Sequence, residues 1–145
     1  MGERVAVVGS RKGVDPQVVT DWLDWLWSAH PDSIVISGGA DGVDTTAETH
    51  WISLGGQVES YRPEEYRGSW YVSIYRFNMP GEKPHERLYS HPSFEDWQSA
   101  IWYRSMLVAE CADKLVAFFN RFISRGTQAT VDFAQAEGTE THEVR

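Results

Sequence analysis

Cysteine is almost missing: the 145-residue chain has one, Cys111. A single thiol excludes an internal disulfide framework and a Cys-rich zinc site. Basic residues are scarce as well, with 13 Lys+Arg against 21 Asp+Glu and a net charge of −8. Such a surface repels a phosphate backbone unless its cations gather on one face, so duplex nucleic acid is not an expected partner. No apolar run is long enough for a membrane span and no N-terminal segment resembles a signal peptide. The default expectation is a cytoplasmic protein without a membrane partner. His85 and His91 lie six residues apart in a Pro-containing stretch and match no metal-ligand spacing, so no metal or cofactor is called for.

What is present has ordinary globular composition, 41% hydrophobic and 23% charged, and enough length for one domain over 1–145. Seven Trp are many for such a chain, and Trp serves more often in cores and interfaces than in chemistry. The run Arg4 to Ser10 is β-branched and stopped by glycine, which suits a strand buried on both faces of a parallel sheet. Asp15-Pro16 then reads as a helix cap and first position. The helix is expected over Pro16 to Ala29, burying Val18, Val19, Trp22, Trp25 and Leu26. A second strand near Ser33 to Ser37 leads into Ser37-Gly38-Gly39-Ala40-Asp41-Gly42-Val43-Asp44.

That stretch reads as strand, glycine turn and helix start. Asp41 is expected to cap the helix, with Asp44 three residues on. Paired glycines allow close approach, and the N–H groups of a first helical turn can hold an anion, though Gly-Gly also ends strands for steric reasons alone. A third strand is expected over Gln57 to Tyr61, completing β-α-β-α-β with right-handed crossovers. Over about 62–92 proline and glycine interrupt the pattern among aromatics. This reads as an irregular excursion, either a lid, an oligomer contact or a partly mobile segment, with the aromatics favouring an ordered surface. A third helix follows from near Ser93, carrying Phe94, Trp97, Ile101 and Val108, with Arg104 as an ordinary solvated or ion-paired residue. A strand over Asp113 to Phe119, a turn at Ser124-Arg125-Gly126-Thr127, a helix burying Ala129, Phe133 and Ala136, and a terminal edge strand complete the chain.

Three separated motifs stand in the order seen in the SLOG superfamily, which joins DprA-like and LOG-like Rossmannoid domains. They are Val8-Gly9-Ser10-Arg11; the glycine turn with Asp44 and Ala47; and Arg104 followed by Ala112-Asp113, Val116-Ala117-Phe118 and Gly126-Thr127. The chain resembles most the small stand-alone YspA/YpsA-related SLOG proteins. The resemblance implies an α/β, Rossmann-like three-layer fold with a mainly parallel sheet of four to five strands flanked by helices. It also implies a nucleotide or nucleotide-derived ligand at the strand carboxyl ends, where open parallel sheets hold ligands. Gly9, Ser10, Arg11, Gly38, Gly39, Asp44, Arg104, Ser124, Gly126 and Thr127 would line that site. Ser105 stands where such proteins often carry an Asn after the arginine. Thr130 stands where LOG-type phosphoribohydrolases carry a glutamate; Asp132 lies about 200° around the helix from that position.

Two function classes follow. One is a module that binds a phosphorylated nucleotide-like small molecule, to sense or sequester it. The other is an N-glycosidic or phosphoribosyl hydrolase in which Asp41 or Asp44 supplies the acid or base, because an oxocarbenium-like transition state needs a carboxylate beside it. Binding is favoured, since both aspartates have a competent role at a helix start. Single-stranded DNA binding as in DprA rests on the resemblance alone and is opposed by the net charge. The Trp-rich helices and the aromatic excursion point to a homodimer surface.

Overall fold

The computed structural model of the chain describes residues 2–78, 86–89 by backbone, 93–120 and 125–144. In chain order the elements are β1 (Arg4–Gly9), α1 (Pro16–Ala29), β2 (Ile34–Ser37), α2 (Val43–Ser53), β3 (Gln57–Tyr66) and β4 (Ser69–Phe77). Then come β5 (Glu86–Tyr89), α3 (Trp97–Cys111), β6 (Lys114–Phe118), α4 (Arg125–Ala136) and β7 (Glu140–Val144). They build one sheet in the order β5-β4-β3-β2-β1-β6-β7. The run from β3 through β2, β1 and β6 to β7 is parallel, and β4 and β5 are antiparallel additions. The fold is therefore α/β and Rossmann-like, with five parallel strands as its frame and seven in all among the described residues.

β1 shows why the layers are three. Val5 and Val7 share a buried cluster with Val19 and Leu23 of α1 and Ala47 and Trp51 of α2. Ala6 and Val8 point the other way, into a cluster with Val108 and Ala109 of α3 and Val131 and Ala134 of α4. Alternate side chains of a strand face opposite sides, so an unbroken apolar run is what a doubly covered strand requires. The chain leaves β1 for β2 on one side, and β6 lies on the other. This is the point at which such sheets leave a crevice at the strand carboxyl ends.

The helix faces differ in phase from the expectation. In α1, Asp15 accepts from the Gln17 N–H at 2.9 Å with Pro16 following, as the sequence predicts. The buried stripe, however, is Val19, Leu23 and Leu26, and Val18 and Trp25 are exposed. Positions 19, 23 and 26 already form one face at helical spacing, and residues 18 and 25 lie a position off it. α3 begins at Trp97, where Asp96 accepts from the Ser99 N–H at 2.7 Å, not near Ser93. It buries Ala100, Arg104, Ser105, Val108 and Ala109 and leaves Trp97 exposed. α4 buries Thr127, Thr130, Val131 and Ala134 in place of the expected Ala129, Phe133 and Ala136. In both helices a polar side chain occupies the inner face, which apolar periodicity cannot reveal.

The expected irregular excursion is, in its described part, regular. β3 continues to Tyr66 and turns at Arg67 and Gly68, whose φ values of 50° and 82° suit a two-residue hairpin, into β4. β2 pairs with β3 only up to Ser60, so residues 61–66 overhang the carboxyl end of β2 and pair with β4 alone. That is why Pro63 fits inside a strand: its missing N–H falls where no second neighbour needs it. The overhang raises a wall beside the crevice. Trp70 and Phe94 exchange backbone hydrogen bonds at 2.7 Å, which ties this wall to the approach to α3. His85 and His91 lie outside the described residues.

Candidate ligand-binding site

Two glycine-containing loops meet at the end of β1. The Ser10 N–H donates to the Phe118 carbonyl at 3.1 Å, and the Asn120 amide Nδ2 donates to the Lys12 carbonyl at 2.8 Å, so the first loop is laced to the end of β6. The Val43 N–H reaches the Ser10 carbonyl at 3.4 Å, and a Cβ placed on Gly42 would stand 2.4 Å from the Arg11 carbonyl oxygen. The start of α2 and the loop carrying Arg11 are thus in backbone contact. Only glycine allows this, since Gly42 also has φ 86°.

The expected cap is absent. Gly42, not Asp41, stands at the N-cap of α2, and it forms no side-chain cap bond. Asp44 takes over: its Oδ2 accepts from the Ala40 N–H at 3.2 Å, while the Gly39 N–H is taken by Ser37 Oγ at 3.1 Å. The N–H groups of the glycine turn, Gly39 and Ala40, are therefore already taken by the protein's own side chains, one of them the Asp44 carboxyl. A ligand phosphate in the second turn, which the glycine pattern suggested, would have to displace them.

The cation comes from elsewhere. Arg104 is only 9% exposed, and its Nη1 donates to the Gly38 carbonyl at 2.8 Å. A Cβ on Gly38 would lie 3.0 Å from both Arg104 Cδ and Asp44 Oδ2, so the missing side chain is what lets the two charges converge. Burial lowers the Arg104 pKa, Asp44 opposes that, and the nearby positive charge of Arg11 adds to it. Asp44 is pushed up to about 7, by burial first, against the pull of Arg104 and the Ala40 hydrogen bond. Its Oδ1 has no partner among the described residues.

These groups line a cavity of about 550 Å³ at the carboxyl ends of β1, β2 and β6. The structure brings Gly9, Ser10, Arg11, Gly38, Asp44 and Arg104 into its wall, with Gly126 and Thr127 from the first turn of α4. Gly39 and Asp41 face a second cavity of about 470 Å³ on the far side of Arg11 and Arg104. Ser124 lies outside the described residues. The sequence reading missed Lys12 and Asn120 of the first cavity and Arg62 of the second. A polar residue directly after the buried run 115–119 was the one available signal for Asn120. Thr130 faces the first cavity with its hydroxyl on the Gly126 carbonyl at 3.1 Å, and Asp132 is exposed and bonded to Gln128. Outside the cavity, His50 is paired with Asp24 on the surface.

Comparisons with known proteins bear on the fold and on its first half. The model of the YspA, cpYpsA-related SLOG family matches residues 3–67, from β1 to the tip of the β3 overhang, including both glycine loops. Residues 3–67 belong to the SLOG superfamily. No curated protein matches this chain. Among solved structures it is similar to DNA processing protein A from Helicobacter pylori, at 16% identity and a TM-score of 0.66, covering 98% of this chain. It is also similar to DprA from Streptococcus pneumoniae, at 19% identity and a TM-score of 0.66, covering 99%. The chain spans 65% and 50% of those two chains, and at such identities the likeness is one of fold. Among the described residues no helix is long and apolar enough to cross a membrane.

Asp44 carries a pH signature. Its folded pKa of about 7 lies above the ordinary 3.8, so the folded state holds the proton more tightly than the unfolded chain. Stability from this group is complete below about pH 4, falls as pH rises, and levels off past 7, by on the order of 4 kcal/mol at most. Asp44→Asn keeps an acceptor for the Ala40 N–H and should remove that slope. Urea midpoints should show the variant gaining on the parent between pH 5 and 8; a pH-independent difference would contradict this.

Proposed function

We propose that the chain binds a nucleotide or nucleotide-derived phosphorylated ligand in the 550 Å³ cavity, as a sensing or sequestering module. The observation that supports it is the buried guanidinium of Arg104, set beside Arg11 in the cavity wall of an otherwise acidic protein. A buried charge is retained where something neutralises it. Here Asp44, the one carboxylate in the cavity wall among the described residues, is near half-protonated at neutral pH, so a ligand phosphate would complete the balance. Lys12, Asn120 and the first turn of α4 offer further donors. An anion held beside Asp44 favours its protonated form, so binding takes up a proton and weakens as pH rises past 7.

The hydrolase reading has one observation in its favour, the unpartnered Oδ1 of a cavity-lining carboxyl that titrates near neutrality. Against it, Thr130 offers no acid or base where LOG-type enzymes carry glutamate, and the Asp41 carboxylate is exposed. Single-stranded DNA, which H. pylori DprA binds, is a weaker ligand for this chain because its −8 charge opposes a polyanion. A thermal-shift screen over nucleosides, nucleoside mono- and diphosphates, cyclic nucleotides, ADP-ribose and an oligo-dT strand tests the proposal. Occupancy at a hundred times Kd stabilises by about 2.7 kcal/mol, a shift of several degrees. Phosphorylated nucleotides should shift the melt and bare nucleosides should not. Stabilisation by oligo-dT alone would overturn the reading, and free base on chromatography of a hit would replace it with the hydrolase.

A further inference from the structure

The second cavity adjoins the first. It shares Arg11, Ala40, Trp97, Ile101 and Arg104 with the first, so the two chambers meet across the same pair of arginines. Its far wall is the β3 overhang, and there one residue is held in an unusually fixed pose. The Arg62 Nε donates to Ser60 Oγ at 2.9 Å, its Nη2 donates to Glu48 Oε2 at 3.1 Å, and its guanidinium lies 4.8 Å over the Tyr75 ring. Glu48 is itself buried, and its Oε1 has no partner among the described residues. Gly39 leaves room for this arrangement, since a Cβ there would stand 2.4 Å from Arg62 Cγ. An arginine locked by two hydrogen bonds and an aromatic face loses little entropy on meeting a ligand.

We propose that the ligand occupies both chambers, with a diphosphate across Arg11 and Arg104 and a hydroxyl-bearing group, such as a second ribose, beside Arg62. This rests on the nucleotide-binding reading above. The charges decide which group goes where. Among the described residues, the near chamber sets Arg11, Lys12 and Arg104 against Asp44 alone, which suits phosphates. The far chamber sets Arg62 among Asp41 and Glu64, which would repel a further phosphate but accept hydrogen bonds from hydroxyls. Trp97 and Tyr75 add aromatic surface to its lining. Each chamber alone falls in the usual range for one small ligand, roughly 300–1,000 Å³, so a mononucleotide would leave one of them empty.

Calorimetry with AMP, ADP and ADP-ribose tests this on the full chain, with Arg62→Gln and Asp41→Ala as variants. ADP-ribose should bind the parent at least tenfold more tightly than ADP, and each variant should bring that ratio toward one. Thermal melts report folding, and the exposed Asp41 keeps the test usable if Arg62→Gln fails to fold because Glu48 loses its partner. Equal affinities for ADP and ADP-ribose in the parent would overturn the proposal while leaving the nucleotide reading intact. So would an ADP-ribose advantage that neither variant reduces. Absence of binding by all three would overturn the proposal and, with it, the nucleotide reading for every adenine-bearing ligand.

Discussion

Replacing Arg104 by alanine is expected to weaken a phosphorylated nucleotide roughly ten- to a hundredfold, because a hydrogen bond to a charged group contributes about 1.5–3 kcal/mol. The side chain reaches the cavity from the buried face of α3 and is aimed by its bond to the Gly38 carbonyl. Lysine in its place could hold that carbonyl or the ligand but cannot fork between them, so Arg104→Lys should recover only part of the loss. The fold should survive Arg104→Ala at pH 6, because Asp44, already raised to about 7, simply keeps its proton when its counter-charge is gone. Above pH 7 the variant should be less stable than the parent. Arg11 is exposed, so Arg11→Ala should cost affinity with no change in melting. Calorimetry and melts at pH 6 and 8 separate these effects; unchanged affinity in both alanine variants would contradict the assignment.

Gly42→Ala should be strongly destabilising. It forces a side chain into φ 86°, ψ −124° and sets its Cβ 2.4 Å from backbone atoms of Arg11, which have no rotamer to escape through. Strain in such a region costs about 1–3 kcal/mol, and displacing the loop adds to it, so roughly 3–5 kcal/mol is expected, or on the order of 10 °C in Tm. Gly68→Ala is the matched control. Its φ is 82°, yet nothing lies within 4 Å of the added Cβ, so it should cost only about 1 kcal/mol. Since the Gly42 contact positions the loop that carries Arg11, Gly42→Ala should also lose ligand, whereas Gly68→Ala should not. Equal losses of stability in the two variants would show that the contact with Arg11 does not matter.

The parts of the fold written as long apolar runs were legible in the sequence. Arg4 to Gly9 and Lys114 to Phe118 could only be strands covered on both faces, and Asp15-Pro16 fixed the start of α1. The β3–β4 hairpin was hidden for two reasons. Its turn is Arg67-Gly68 rather than Asn-Gly, and its strands carry charges and aromatics on a half-exposed surface, with Pro63 inside one of them. For the site, the glycine loops marked its place because close backbone approach needs glycine. What they did not reveal is that Asp44 would occupy the helix start. Nor did they show that Arg104, which reads on its own as a solvated helix residue, would be buried across from it. Such pairings depend on which loops meet in space, and one-dimensional periodicity carries no record of that.

The most direct measurement is a crystal structure of the protein with the tightest-binding nucleotide from the thermal-shift screen. The account predicts phosphate oxygens within hydrogen-bond distance of the guanidiniums of Arg104 and Arg11, at the carboxyl ends of β1, β2 and β6. A ligand seated elsewhere, for example in the groove between Trp22, Trp25 and Val144, would contradict it, and so would a phosphate that touches neither arginine.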